Sequence, residues 1–197
     1  MNALLKTSLL GLALVSTASM AGNFAGPEAG ASVTINGASF LIDNKNSNNY
    51  DGNYGQQSIG VKLHGGYGFD MGNDTVVLVG VGYNPTEIKS GSLDQVTAKI
   101  KNSWSLSVAP GMKLNDSSLA YVKLSYEAGK FIAKSTTSSS EESISGFGYG
   151  VGLRTEINKT TFLETEIKQV NYKKFTDDGD KVTPSATVGS VGVVFKF

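Results

Sequence analysis

The sequence predicts an all-β chain: one eight-stranded antiparallel up-and-down transmembrane β-barrel behind a cleaved leader. Three observations predict it: an N-terminal apolar leader, eight segments of period-2 alternation, and connections that alternate between tight and long.

The 197 residues fit one domain. Lys plus Arg and Asp plus Glu each number 17, so no charge excess points to nucleic acid. Cysteine is absent, which excludes disulfides, thiolate metal sites and cysteine nucleophiles but leaves the redox compartment open. Glycine is high at 24 and proline low at 4, a balance that suits many strands and disfavours long helices.

Residues 1–21 read as a signal peptide, leaving 22–197 as the barrel domain. Lys6 supplies the positive region, Leu9 to Val15 the apolar stretch, and Ser19-Met20-Ala21 the small-residue cleavage site. The apolar stretch is too short to span a bilayer as a helix, and no later segment approaches the roughly 18 consecutive apolar residues a spanning helix needs. An exported chain without a helical anchor is either soluble or a barrel, and the alternation pattern decides.

Each segment has the roughly ten-residue length of a tilted spanning strand. The first, 28–42, sets Ala29, Ala31, Val33 and Ile35 against Glu28, Ser32, Thr34 and Asn36. The second, 57–69, sets Ile59, Val61, Leu63, Tyr67 and Phe69 against Ser58, Lys62, His64 and glycines. The third, 75–85, turns Val77, Val79, Val81 and Tyr83 outward and Gly80, Gly82 and Asn84 inward. The fourth, 98–114, puts Trp104, Leu106, Val108, Pro110 and Met112 outside, with Lys101, Ser103, Ser105, Ser107 and Lys113 inside. The fifth, 119–130, alternates Ala120, Val122, Leu124 and Tyr126 with Tyr121, Lys123, Ser125 and Glu127. The sixth, 144–157, alternates Phe147, Tyr149, Val151 and Leu153 with Gly148, Gly150, Gly152 and Arg154. The seventh, 161–172, sets Leu163, Thr165 and Ile167 against Glu164, Glu166 and Lys168, although Phe162 and Val170 fall on the charged face. The eighth, 185–197, carries Val191, Val193, Phe195 and Phe197 outside, with Ser190, Gly192 and Lys196 inside.

A soluble sandwich alternates as well, so other features separate the two architectures. No position of the apolar face is charged, as lipid contact requires: Lys or Arg facing lipid at the midplane costs roughly 2–4 kcal/mol. The links Asp70 to Asp74, Asn115 to Ser118 and Asn158 to Thr160 are tight, whereas those between them are long and polar. That is the asymmetry of periplasmic turns and extracellular loops. Outward aromatics fall at two levels, Tyr67, Phe69, Phe195 and Phe197 at one rim and Tyr83, Trp104, Tyr126 and Phe147 at the other, as in membrane-interface girdles. Pro110 removes a ladder hydrogen bond from a strand paired on both sides, which predicts a bulge or a locally opened ladder between Ala109 and Gly111.

With its outward series ending on Phe197, the mature chain resembles the small eight-stranded outer-membrane β-barrel family of OmpX/Ail-like proteins, opacity proteins and the OmpA membrane domain. The resemblance is architectural and carries no diagnostic functional motif. It implies location in the cell outer membrane of a Gram-negative envelope. It also implies that Phe195 and Phe197 form the signal read by the barrel-assembly machinery.

Glu28, Lys113, Lys123, Arg154, Glu156, Glu164, Glu166 and Lys196 all face inward on the periplasmic half of their strands. An eight-stranded barrel is only wide enough for side chains to fill it, so these charges are expected to pair as a plug; a narrow pore is the competing reading. His64 is the sole histidine and has no second His or Cys to form a metal or catalytic site with. Gly146, Gly148, Gly150 and Gly152 alternate, which is no dinucleotide fingerprint but makes room for bulky neighbours. Asp177, Asp178 and Asp180 lack calcium-loop spacing and read as a solvated loop. No cofactor and no catalytic or metal residue is expected.

The predicted binding surface is therefore the long links, Asp43 to Gln56, Thr86 to Gln95, Phe131 to Ser143 and Lys173 to Thr183. The function expected is non-enzymatic: envelope structure, or surface interaction and adhesion, with a host or envelope ligand and with outer-membrane lipid and lipopolysaccharide as partners. A narrow porin-like channel for small solutes or ions is the alternative. A barrel enzyme of the lipid A acyl-modifying or omptin type fits a lone inward His64 poorly. Intact mass of the membrane-extracted protein should correspond to a chain beginning at Gly22; a retained 1–21 segment would contradict the export argument.

Overall fold

The computed structural model describes residues 23–43, 52–93, 96–134, 139–177 and 180–197. The leader, the cleavage site and the link tips 44–51, 94–95, 135–138 and 178–179, with Asp178, lie outside the described residues. The strands are β1 (Gly26–Asp43), β2 (Gly52–Gly72), β3 (Thr75–Asn84), β4 (Ile88–Leu93), β5 (Val96–Asn115), β6 (Ser118–Lys134), β7 (Ser139–Asn158), β8 (Thr161–Tyr172), β9 (Phe175–Asp177) and β10 (Asp180–Lys196).

Eight of them form a closed antiparallel ring in the order β1-β2-β3-β5-β6-β7-β8-β10, sealed by β1 against β10. Two short strands sit outside the ring, β4 on β5 and β9 on β10. Stepping from partner to partner from Ala29 through Gly65, Val81, Leu106, Tyr126, Phe147, Asn171 and Ser185 returns to β1 at Ser39, ten residues farther on. Closure with such a stagger tilts the strands by about 35–45° to the barrel axis.

The tight turns fall where the sequence places them. Asn73 and Asp74 both have positive φ, 51° and 61°, the conformation of a two-residue hairpin turn that follows strand twist. In the other two, Asn115 Oδ1 accepts from Ser117 N at 2.9 Å and Asn158 Oδ1 from Thr160 N at 3.1 Å. Side chains that bond their own backbone two residues on favour a turn over a continued strand.

The outward face is apolar on every strand of the ring: Val33, Ile35, Ile59, Val81, Leu106, Leu124, Val151, Ile167 and Val191 are exposed, as are Phe195 and Phe197. The register of β8 puts Phe162 and Val170 inside, where both are buried among apolar residues rather than among charges.

One expectation, the ladder opened at Pro110, is met, and two need correction. The ladder between β5 and β6 skips Ala109 and Pro110, passing from Val108↔Leu124 to Gly111↔Tyr121 without a change of register, so Pro110 opens the ladder and makes no bulge. The bulge lies nearer the outer end, where the pairing shifts between Lys101↔Lys130 and Trp104↔Ala128 and Asn102 has φ 48°. One extra residue reverses the strand's faces. Beyond it Ala98 and Ile100 are buried, while Lys99 and Lys101 pair with Glu87 on the outer wall; Lys101 therefore does not face inward. Secondly, the described residues of the long links are mostly strand. β1, β2, β5, β6, β7 and β10 continue past the membrane belt with Phe40, Phe131, Ile144 and Val182 turned inward. Where water replaces lipid, the pattern becomes apolar inside and polar outside while the period stays 2, and that change of phase resembles the end of a strand.

Depth in the belt sets the cost of a charge. Val108→Lys, in the middle of the apolar belt on β5, should cost roughly 2–4 kcal/mol and abolish heat-modifiable gel mobility. Met112→Lys, near the inner rim on the same face, should cost only about 0–1 kcal/mol. Equal loss of folding in both variants would contradict the placement of the belt.

Candidate functional site

The interior is stacked in three layers. At the periplasmic end Phe24 enters the mouth and packs on Phe162, ring centroids 5.3 Å apart, with Val76, Leu78, Leu119 and Val194 buried around them. At the extracellular end Phe40, Ile88, Ile100, Phe131, Ile144 and Tyr172 form a second apolar cluster. Between the two lies a layer of ionisable side chains.

Its centre is Arg154 of β7, 3% exposed. Nη1 donates to Glu28 Oε2 at 2.5 Å and Nη2 to Glu28 Oε1 at 3.1 Å, a two-pronged bond to β1. Nε and Nη2 also donate to Glu164 Oε2 of β8, at 3.2 and 2.6 Å. One step outward, Glu166 Oε2 accepts from Tyr121 Oη at 3.1 Å and from Lys123 Nζ, and its Oε1 lies 3.6 Å from Lys62 Nζ. Outermost, Glu127 Oε1 accepts from Lys168 Nζ at 2.5 Å and Ser125 Oγ at 2.7 Å. Lys62, Lys123, Arg154 and Lys168 thus balance Glu28, Glu127, Glu164 and Glu166. Buried ions left unpaired would cost several kcal/mol each.

Of the eight inward charges anticipated from sequence, Glu28, Lys123, Arg154, Glu164 and Glu166 come together here. Lys113, Glu156 and Lys196 do not. They sit at the periplasmic rim, where Lys113 Nζ binds Asp70 Oδ2 at 2.9 Å, Glu156 Oε2 accepts from Asn23 Nδ2 at 2.9 Å, and Lys196 Nζ donates to the Asn23 carbonyl at 3.3 Å. The apolar layer around Phe24 separates this rim from the buried charges. The bonds from Lys113 and from the Gly72 amide hold the Asp70 carboxyl below the usual carboxylate range. Conversely, Lys62, Glu127 and Lys168 belong to the layer and were not grouped with it; their inward parity was legible, but not their height.

His64 points inward with Nε2 3.8 Å from Glu164 Oε1, and neither ring nitrogen has a hydrogen-bond partner. A side chain at Gly30 would place its Cβ 2.5 Å from that Nε2, and one at Gly152 would meet the Tyr121 ring at 2.2 Å, so both glycines are there for room. The gap beside His64 is about 30 Å³ and that beside Lys168 about 10 Å³. The larger has room for water but not for a ligand.

On the outer wall Trp104, Tyr126 and Phe147 form a continuous row, with centroids 5.8 and 5.9 Å apart. Just beyond it, Lys99 Nζ bonds Glu87 at 2.8 Å, Lys101 bonds the same carboxylate, and Lys130 bonds Glu141 at 2.5 Å. The two lysines hold the exposed Glu87 carboxyl down at about 2.

A closed ring with an apolar exterior, aromatic rows at both rims and a packed, charge-balanced interior defines a membrane-spanning β-barrel. The chain belongs to the family of outer membrane proteins with a β-barrel domain: the model for "Outer membrane protein beta-barrel domain" matches residues 7–197. It lies in the cell outer membrane. Among solved structures it is similar to Neisserial surface protein A at 14% identity, covering 85% of this chain and 97% of that one with a TM-score of 0.55. It is also similar to OprG of Pseudomonas aeruginosa at 11% identity, covering 89% and 98% with a TM-score of 0.53. The attachment invasion locus protein Ail of Yersinia pestis aligns at 16% identity over 86% and 99%, with a TM-score of 0.48. No curated protein matches by sequence.

The interior pairs should behave as coupled units. Lys168→Met strands Glu127 without its cation and should cost about 3–5 kcal/mol in urea unfolding of the detergent-folded barrel. Adding Glu127→Gln should recover most of that loss; a double variant no more stable than the single would contradict the pairing.

Proposed function

We propose that this protein is non-enzymatic and acts at its extracellular end, in surface interaction or adhesion with a host or envelope ligand, or as envelope structure. The filled lumen carries this reading. Apolar clusters block both ends, the charges between them neutralise one another, and the gaps beside His64 and Lys168 measure only about 30 and 10 Å³. A ligand pocket is typically 300–1,000 Å³. The membrane face offers only apolar contact, so specific recognition falls to the outer hairpins, which stand on a rigid scaffold.

In the same reading residues 1–21 are removed on export, and the barrel-assembly machinery reads the outward Phe195 and Phe197. Lipopolysaccharide surrounds the outer end. Among the described residues no group of three potential metal ligands forms around His64, and Glu164 and Glu166 are both committed to cations, which argues against metal and acid–base chemistry.

Exchanging residues 44–51 and 135–138 for two-residue turns retains Phe40, Phe131 and Ile144. It should keep heat-modifiable mobility while reducing adhesion of protein-displaying cells to host cells. Planar bilayers holding the intact protein should show no unitary current steps. Defined steps that change with Lys123→Gln, together with unaltered adhesion of the exchanged protein, would overturn the proposal in favour of a narrow channel.

A further inference from the structure

A groove of about 410 Å³ opens on the outer wall between β5, β6 and β7. Trp104 and Tyr126 form its membrane-side lip, Gly129, Ser143 and Ser145 line it, and Lys130 stands at its far side. It exists because of the bulge at Asn102. The shift in pairing there falls opposite Gly129, which has no side chain to fill the space.

Its depth follows from the aromatic row. Outward Trp and Tyr mark the membrane–water interface, so a groove directly beyond Trp104 and Tyr126 lies among the headgroups of the outer leaflet. Lysines gather at that level. Lys101 and Lys130 are direct cross-strand partners, Lys99 follows Lys101 on the same face, and Lys173 is brought alongside by its backbone N–H, which donates to the Ser145 carbonyl at 2.8 Å. Like charges directly opposite one another on a sheet are unfavourable unless an anion sits between them. Lys101 draws on Glu87 and Lys130 on Glu141, two separate carboxylates. Both are exposed, and exposed ion pairs exchange partners at little cost. A phosphate, with more charge and more acceptor oxygens than one carboxylate, competes well for the same lysines.

We propose that this groove binds the phosphorylated glucosamine head of lipopolysaccharide. The sugar lies against Trp104 and Tyr126, its polar groups meet Ser143 and Ser145, and a phosphate is held by Lys101 and Lys130. Its acyl chains descend over Leu106 and Leu124. A glycerophospholipid lacks the rigid sugar that would occupy the aromatic lip, and inorganic phosphate lacks both sugar and chains. The inference rests on the reading that lipopolysaccharide surrounds the outer end, and it is independent of what the hairpin tips bind.

Trp104 is the sole tryptophan, so its emission reports on this groove alone. The full-length barrel, refolded in uncharged detergent, is titrated with lipopolysaccharide, phosphatidylglycerol, dephosphorylated lipid A and inorganic phosphate. A saturable change in Trp104 emission is expected with lipopolysaccharide, with apparent affinity at least tenfold weaker for dephosphorylated lipid A. Lys101→Gln with Lys130→Gln should weaken lipopolysaccharide binding at least tenfold while heat-modifiable mobility is kept. Glu141→Gln, which frees Lys130, should tighten it, and this second variant serves as the test if the lysine pair fails to fold. Unchanged affinity in these variants, or an equal response to phosphatidylglycerol, would overturn the site. Absence of any saturable response would overturn both the site and lipopolysaccharide contact at this level, while the adhesion assay on turn-exchanged protein judges the hairpin reading separately.

Discussion

Arg154 holds the closed barrel together from within. Its guanidinium reaches Glu28 on the first strand of the ring and Glu164 on β8, so one side chain ties β1, β7 and β8 across the place where the two ends of the sheet meet. A closed barrel of this size has no solvent column to screen its inward charges, and every one must find a partner or destabilise the fold. The rest of the interior is arranged around that requirement. Glu166 is shared by two lysines and a tyrosine, Glu127 by a lysine and a serine, and glycines on β1 and β7 give up side chains so that His64 and Tyr121 fit.

The apolar layers above and below have a second effect. They keep water from the ion pairs, so the electrostatic bonds act in a medium less polar than water, where each is stronger and each broken one costs more. The middle layer thereby specifies register. A strand slipped by one residue would turn its charges to lipid and its valines inward, and a slip of two would separate Arg154 from both carboxylates. The lipid face could not impose this on its own, because valine, leucine and isoleucine are nearly interchangeable against acyl chains.

Much of this was legible in the sequence, for a physical reason. In the membrane belt a residue faces either lipid or the lumen, and lipid tolerates no charge, so the alternation of β2 or β7 gives the faces directly. Phe162 and Val170 obscured β8 because they break the polar side of that alternation; only the layered interior explains why apolar residues point inward at those two heights. Height itself is set by the ten-residue stagger of the ring, a property of all eight strands together. That is why Lys113 and Lys196 looked like companions of Arg154 and lie instead at the rim, and why Lys62, Glu127 and Lys168 were not grouped with it. The bulge at Asn102 was also hidden, since nothing in the alternation of Lys99 and Lys101 signals that the frame has shifted by one.

That bulge divides β5 into two independent frames. Residues 103 onward are bound to the membrane, where an insertion or deletion of one residue would expose a whole row of serines to lipid. Residues before it answer instead to the buried extracellular cluster around Ile100 and Phe131. At a point where the frame is already broken, the chain can gain or lose residues outward without disturbing the span below. The extracellular half of this strand is in that sense a separate module, free to diverge in length and surface while the membrane half stays fixed.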